Sequence, residues 1–126
     1  MFSQPIRSIM ERRKFVTAAP GTTVREASEL MVKKQVGAVL IVEGERLLGI
    51  FSERDAVFRV IARGLDPAVT PLAQVMTPDP KTIKPNNTFG YAMTLMHENG
   101  FRHLPVIDNG KPVGSFPRGR RSDTRR

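Results

Sequence analysis

The sequence contains no cysteine, no tryptophan and a single tyrosine among its 126 residues. Without cysteine the chain can form neither a disulfide framework nor a thiolate metal site, and this composition is compatible with cytoplasm. The first residues lack an apolar signal region, and no apolar run approaches the length of a membrane span. We therefore expect a cytoplasmic protein with no membrane partner.

Positive charge is concentrated at the two ends of the chain. The net charge is +8, of which residues 1–14 carry +3 and residues 115–126 carry +4, so that only +1 belongs to the residues between. Nucleic-acid binding usually needs a basic surface built into the fold. The charge distribution therefore argues against nucleic acid as a partner, although weak binding through the basic termini stays open as an alternative.

The chain is a tandem duplication. A shift of 65 positions aligns its two halves without a gap. The identical pairs are Thr17 and Thr82, Pro20 and Pro85, Thr23 and Thr88, Ala27 and Ala92, Leu30 and Leu95, Met31 and Met96, Gly49 and Gly114, and Phe51 and Phe116.

Each copy predicts the order β-α-β-β-α, and hence an α+β fold. In the first copy Thr23 and Glu26 form a capping-box pattern, and apolar residues at helical spacing follow up to about Gln35. A hairpin is predicted next in both copies, and Asn109-Gly110 is the strongest turn signal in the chain. Ser52-Glu53-Arg54-Asp55 then predicts a helix start directly after the first hairpin.

The repeated unit resembles the CBS domain, which is named for cystathionine β-synthase. The motifs that carry the resemblance are Val-Met-Thr-Pro at 75–78, the openings at Thr17 and Thr82, Gly37-Ala38-Val39, Arg102-His103-Leu104-Pro105-Val106, and Gly49 to Asp55. The predicted organisation is a lead-in at 1–15, repeat 1 at 16–64, a linker at 65–76 and an incomplete repeat 2 at 77–115, followed by a disordered basic tail at 116–126. We expect two repeats packed as a pseudo-symmetric pair.

The resemblance implies regulation or sensing and not catalysis. It implies a stand-alone CBS pair that binds an adenosyl ligand such as AMP, ADP or ATP in a cleft between the repeats and requires no cofactor. It also implies a homodimer, and a regulated enzyme or transporter as a further partner. The alternative is a structural protein rather than a sensor: a dimerisation module whose cleft binds no ligand. Apolar helix faces, which one chain would leave uncovered, also predict the homodimer; they carry Leu30, Met31, Phe58, Met93 and Met96.

The resemblance assigns Ser52 to phosphate and Asp55 to the ribose hydroxyls. Residue chemistry agrees, because a carboxylate accepts two hydroxyl donors and a helix N-terminus favours an anion. The same two residues could instead only cap a helix. For the other candidate ligand-binding residues, ordinary strand burial or solvent exposure is the competing interpretation. These candidates are Thr17, Gly37, Ala38, Val39, Arg54, Arg102 and His103.

Neither a catalytic set nor a metal site is readable. His103 has no second ligand at a suitable spacing, and no nucleophile stands beside a base. We therefore expect no enzyme activity and no metal.

The end of the chain departs from the repeat. Pro117 and Arg120 stand where the first copy has Ser52 and Asp55. We interpret this end as truncated or frameshifted, because loss of one nucleotide from codons for Gly-Ile-Val-Ser and nine further residues would produce residues 114–126. This predicts that repeat 2 lacks its final helix and that Pro117 forbids the expected strand end.

Overall fold

The computed structural model describes residues 2–10 and 15–117. The first described helix is α1 (Ile6–Met10), and the first repeat comprises β1 (Thr17–Ala18), α2 (Val24–Lys34), β2 (Ala38–Glu43), β3 (Arg46–Ser52) and α3 (Glu53–Asp55). Helix α3 continues as a π-helix, Ala56–Ile61. The second repeat follows α4 (Leu72–Val75) and comprises β4 (Thr77–Pro78), α5 (Phe89–Asn99), β5 (His103–Asp108) and β6 (Lys111–Pro117).

Local sequence signals form both long helices as predicted. At the start of α2 the Thr23 hydroxyl accepts a hydrogen bond from the Glu26 amide at 3.1 Å, and the Glu26 carboxylate accepts one from the Thr23 amide at 3.0 Å. The Thr88 hydroxyl caps α5 in the same way, through the Tyr91 amide at 3.1 Å. Helix α5 ends at Gly100, whose φ of 71° lies in the left-handed region that glycine tolerates.

The strands form two sheets. The first has the order β1-β2-β3-β4, with β1 parallel to β2 and the other neighbours antiparallel. The second is the antiparallel pair β5-β6, beside which Ile83 forms a parallel bridge to Val106. The predicted α+β fold of two related repeats is confirmed.

Each repeat receives its lead-in from the other. Leu72 and Val75, which precede repeat 2, are buried in the core of repeat 1. Ile6, which precedes repeat 1, is buried in the core of repeat 2, and its amide donates to the Asn87 carbonyl at 2.8 Å. The two exchanged segments form equivalent bridges, Pro5 to Thr88 and Pro71 to Thr23. The exchange is the pseudo-symmetric feature that joins the two halves.

The prediction that Pro117 forbids a strand end is wrong. Strand β6 continues through Pro117, which pairs with His103, and Phe116 is only 1% exposed in the second core. Proline is tolerated here because β6 is an edge strand and its end needs no further amide donor. Burial of the Phe116 ring in the second core favours this strand end. The predictions that repeat 2 lacks its final helix and that the tail is disordered concern residues 118–126, which lie outside the described part of the chain.

The predicted apolar helix faces are only partly uncovered. Met31 and Met96 are buried in the two cores, so they are not available to a partner. Leu30 and Met93 are partly buried, and Phe58 is exposed. The exposed apolar side chains on α2 and the π-helix are Val32, Val57, Phe58 and Ile61, and others lie elsewhere at Phe2, Val69, Tyr91 and Val113.

Candidate functional site

A cleft of about 530 Å³ lies between the two repeats. Repeat 1 contributes the end of β3 and the start of α3, and repeat 2 contributes β4 and the residues after it. The remaining wall is the segment that joins α5 to β5. The lining residues are Ile50, Ser52, Arg54, Asp55, Thr77, Asp79, Pro80, Lys81, Asn99, Gly100, Phe101, Arg102 and His103.

Ser52 and Asp55 form a capping box at the start of α3. The Asp55 amide donates to the Ser52 hydroxyl at 3.2 Å, and the Asp55 Oδ2 atom accepts from the Ser52 amide at 2.9 Å and from its hydroxyl at 3.1 Å. The interpretation of these residues as a helix cap is thus confirmed. It leaves the ligand-binding prediction open, because a carboxylate has about four acceptor positions and only part of them are used here.

His103 lines the cleft from the second repeat, and its ring lies close to Gly37 of the first repeat. A Cβ atom on Gly37 would lie 3.1 Å from both the His103 Cε1 atom and the Glu53 Oε2 atom, so the absence of a side chain makes room for both. Burial lowers the pKa of His103 below its ordinary value of 6.5, and Arg102 lowers it further, against the opposing effect of Glu53 and Asp55. The partly buried ring is therefore held towards its neutral form.

Basic side chains accompany the acids in this cleft. Arg54, Lys81 and Arg102 line it together with Asp55 and Asp79. The Arg54 guanidinium also lies over the Phe58 ring, 4.7 Å from its centroid, so this cation is stacked on the helix and still reaches the cleft. The cleft can thus offer cations to a phosphate group and a carboxylate to hydroxyl groups.

The predicted site residues separate into two sets. Ser52, Arg54, Asp55, Arg102 and His103 all line the cleft. The other set lies in β1, in β2 or directly before β2, and its members are not among the lining residues. They are Thr17, Gly37, Ala38 and Val39.

The exchange of lead-ins explains this separation. The cleft combines the end of repeat 1 with the beginning of repeat 2, and the shift of 65 positions makes Ala38 the counterpart of His103 and Gly37 that of Arg102. Val39 is fully buried in the first core, as expected for an ordinary strand residue. Sequence reasoning missed Thr77 and Lys81 as lining residues, although Thr77 belongs to the Val-Met-Thr-Pro motif that carried part of the resemblance.

Among residues 2–10 and 15–117, no cluster of three His, Cys, Asp or Glu side chains could hold a metal ion. Within the same residues, every helix is too short or too polar to cross a membrane.

Comparison with known proteins shows the family. The CBS domain model matches residues 6–62 and 72–119. The chain is 36% identical to the CBS domain-containing protein YhcV of Bacillus subtilis over 98 residues, which cover 78% of this chain and 69% of that protein. The chain belongs to the CBS domain family and is a pair of such domains. It spans 20% or less of the length of three plant and yeast relatives, so the activities of those longer proteins do not transfer to it.

Solved structures agree with the fold. A putative signal-transduction protein with CBS domains from Burkholderia ambifaria is 30% identical, with a TM-score of 0.84 over 90% of this chain and 88% of that one. The CBS domain protein PAE2072 from Pyrobaculum aerophilum, solved in complex with AMP, is 25% identical, with a TM-score of 0.81 over 90% of this chain and 86% of that one.

Proposed function

We propose that this CBS pair is a regulatory module that binds one adenosyl ligand of the AMP, ADP or ATP class in the cleft between its repeats. The observation that carries the proposal is the placement of Ser52 and Asp55 at a helix start in the same cleft as Arg102 and His103. The AMP complex of the related Pyrobaculum protein supports the ligand class.

The cleft offers different side chains to the ribose and to the phosphate of such a ligand. Asp55 can accept from the two ribose hydroxyls, while Arg54, Lys81 and Arg102 can attract the phosphate. The equivalent acid of the second repeat would fall at Arg120, which has the opposite charge. At most one adenosyl ligand per chain is therefore expected.

Thermal unfolding with added nucleotides tests this function. A ligand at one hundred times its dissociation constant should stabilise the folded protein by about 2.7 kcal/mol. We expect AMP, ADP or ATP to raise the melting temperature, and 2′,3′-dideoxyadenosine monophosphate to do so much less because it offers Asp55 no hydroxyls. If neither AMP, ADP nor ATP shifts the unfolding transition, the function is refuted.

A ligand-free dimerisation module is the second candidate. An apolar groove of about 570 Å³ runs between α2 and the π-helix, and its lining includes Val32, Ala56, Val60 and Ile61. Exposed apolar side chains adjoin it, which is typical of a protein–protein contact surface. A homodimer in which this groove is covered is compatible with both functions, so only the nucleotide titration distinguishes them.

A further inference from the structure

Arg59 connects Asp55 to the exchanged lead-in of repeat 2. Its Nη1 atom donates to the Met76 carbonyl at 3.0 Å and to the Val75 carbonyl at 3.3 Å. Its Nε atom lies 3.6 Å from the Asp55 Oδ1 atom. One guanidinium therefore contacts both the candidate ribose acid and the last residues before β4.

One contact is made to a residue that lines the cleft and the other to residues that directly precede a lining strand, although Arg59 itself is not among the lining residues. Asp55 belongs to the wall from repeat 1, and Met76 directly precedes Thr77 in the wall from β4. The Asp55 side chain is only 15% exposed, so its ion pair with Arg59 is screened less by water than a surface pair would be.

The contacts of Arg59 with Asp55 and with the Val75 and Met76 carbonyls depend on the shape of the arginine side chain and on the local helix geometry. A planar guanidinium presents donors on Nε and Nη1 at a fixed angle, whereas the single ammonium of lysine cannot reach two such partners in the same way. Arg59 stands in the π-helix Ala56–Ile61, a rare conformation that is often found at functional sites.

We propose that Arg59 is a positioning residue for nucleotide binding: it holds the Asp55 carboxylate and the second lead-in at the spacing that the ligand requires. This inference rests on the proposed function of the cleft. It implies that Arg59 controls affinity through Asp55, without touching the ligand.

A double-mutant cycle tests the inference. AMP affinity is measured by calorimetry for the wild type, Arg59→Met, Asp55→Asn and the double variant, with Arg63→Met as the matched control because Arg63 is exposed one turn further along. We expect Arg59→Met to weaken binding about tenfold, as for neighbours in one network, and to have little further effect beside Asp55→Asn. Arg59→Lys retains the charge but should not restore the affinity.

A merely structural arginine would lower the melting temperature and leave the affinity for AMP unchanged. If Arg59→Met binds AMP as tightly as Arg63→Met, or if its loss of affinity is unchanged in the Asp55→Asn background, the inference is refuted while the proposed function stands. The Arg59→Lys variant serves the same comparison if Arg59→Met does not fold.

Amide exchange of the ligand-free protein supplies a readout that does not depend on binding. The Met76 amide donates to Leu72 and the Asp79 amide to Leu48. Both should exchange faster in Arg59→Met and in Asp55→Asn than in Arg63→Met. If the wild type binds no nucleotide, the proposed function fails, and equal exchange in these variants would refute the positioning role as well.

Discussion

A substitution at Asp55 would remove its contacts with both Ser52 and Arg59. Its Oδ2 atom is engaged by Ser52 in the capping box, and its Oδ1 atom faces Arg59. Any test of ligand binding must therefore separate the loss of a helix cap from the loss of a ligand contact. Glu26 offers the matched control, because it has the same capping-box position in α2 and does not line the cleft.

Replacing Asp55 with Ala should weaken adenine-nucleotide binding by about tenfold to a few hundredfold. It removes charged acceptors whose hydrogen bonds are worth about 1.5–3 kcal/mol each, less what water restores. Calorimetric titration beside Glu26→Ala checks this, because both variants lose the acid of a capping box, worth about 0.3–1 kcal/mol at a helix start, but only one should lose affinity. A deletion ending at Pro117, which retains Phe116, should bind normally. Equal affinity in the wild type and Asp55→Ala would place the site elsewhere.

The lowered pKa of His103 predicts that the free energy of unfolding depends on pH. Burial lowers its pKa in the folded state, so the unfolded chain takes up the proton more readily as the pH falls. The stability that depends on a neutral His103 is fully present above about pH 6.5, the ordinary pKa of histidine. It is lost as the pH falls through the lower pKa of the folded state. When the pH is lowered from 7.5 to about 5, urea denaturation should therefore show a smaller loss of unfolding free energy in His103→Gln than in the wild type.

The exposed His97 supplies the control for this experiment. His97→Gln should follow the wild-type dependence, since this substitution leaves the partly buried His103 ring in place. Identical curves for His103→Gln and the wild type would contradict the assignment of the pH dependence to His103.

At the scale of the elements, the close approach of the chain before and within β4 to its neighbour β3 explains the glycine at position 49. A Cβ atom on Gly49 would lie 2.5 Å from the Met76 Sδ atom and 2.7 Å from the Thr77 carbonyl oxygen. The methionine could move aside, but the carbonyl belongs to the strand that pairs with β3. Only glycine lets the lead-in of repeat 2 pass this close.

Gly49→Ala should destabilise the protein by about 1–3 kcal/mol, the usual cost of forcing extra atoms into a packed region. The control is Gly21→Ala, since a Cβ on Gly21 has nothing within 4 Å. Its effect should stay within about 0.5 kcal/mol. Denaturant midpoints measure both, and equal stability of the two variants would show that β4 can move away without cost.

The end of β6 belongs to the second core. Phe116 contacts the Phe89 ring edge to face, with centroids 5.8 Å apart. Phe116→Ala should therefore cost about 3–5 kcal/mol, as for other buried phenylalanines. Val113→Ala, in the same strand but 38% exposed, should cost much less. Chemical denaturation of both distinguishes a packed strand end from the disordered tail that the sequence alone suggested.

At the scale of the whole molecule, the exchanged lead-ins join the repeats while one apolar face stays uncovered. Val32 is 78% exposed and Ile61 69% exposed, and both line the groove between α2 and the π-helix. A second copy of the chain would remove this surface from water at a gain of roughly 25 cal/mol per Å² of apolar area.

We expect a homodimer at micromolar concentration, and Ile61→Asp should convert it to a monomer by placing a charge in the contact. Sedimentation velocity measures the change, with Val113→Asp as a control on the exposed part of β6. A compact wild-type monomer throughout the concentration range would contradict this expectation.

The sequence alone determined the duplication, the family and the local elements. Thr23 and Thr88 cap their helices, and Asn109-Gly110 turns the second hairpin, because capping and turn formation depend on a few neighbouring residues. The grouping of Ser52 and Asp55 at one helix start was readable for the same reason.

Only the tertiary structure decided which segments share a cleft. The resemblance placed Thr17 and Ala38 in one site with Asp55 and His103. In the structure Asp55 and His103 line the cleft together with Thr77 and Lys81, whereas Thr17 and Ala38 do not. Arg59 likewise shows no local signal for its contacts at Val75 and Met76. Such contacts depend on which distant apolar surfaces are buried together, and helix, strand and turn preferences do not encode that choice.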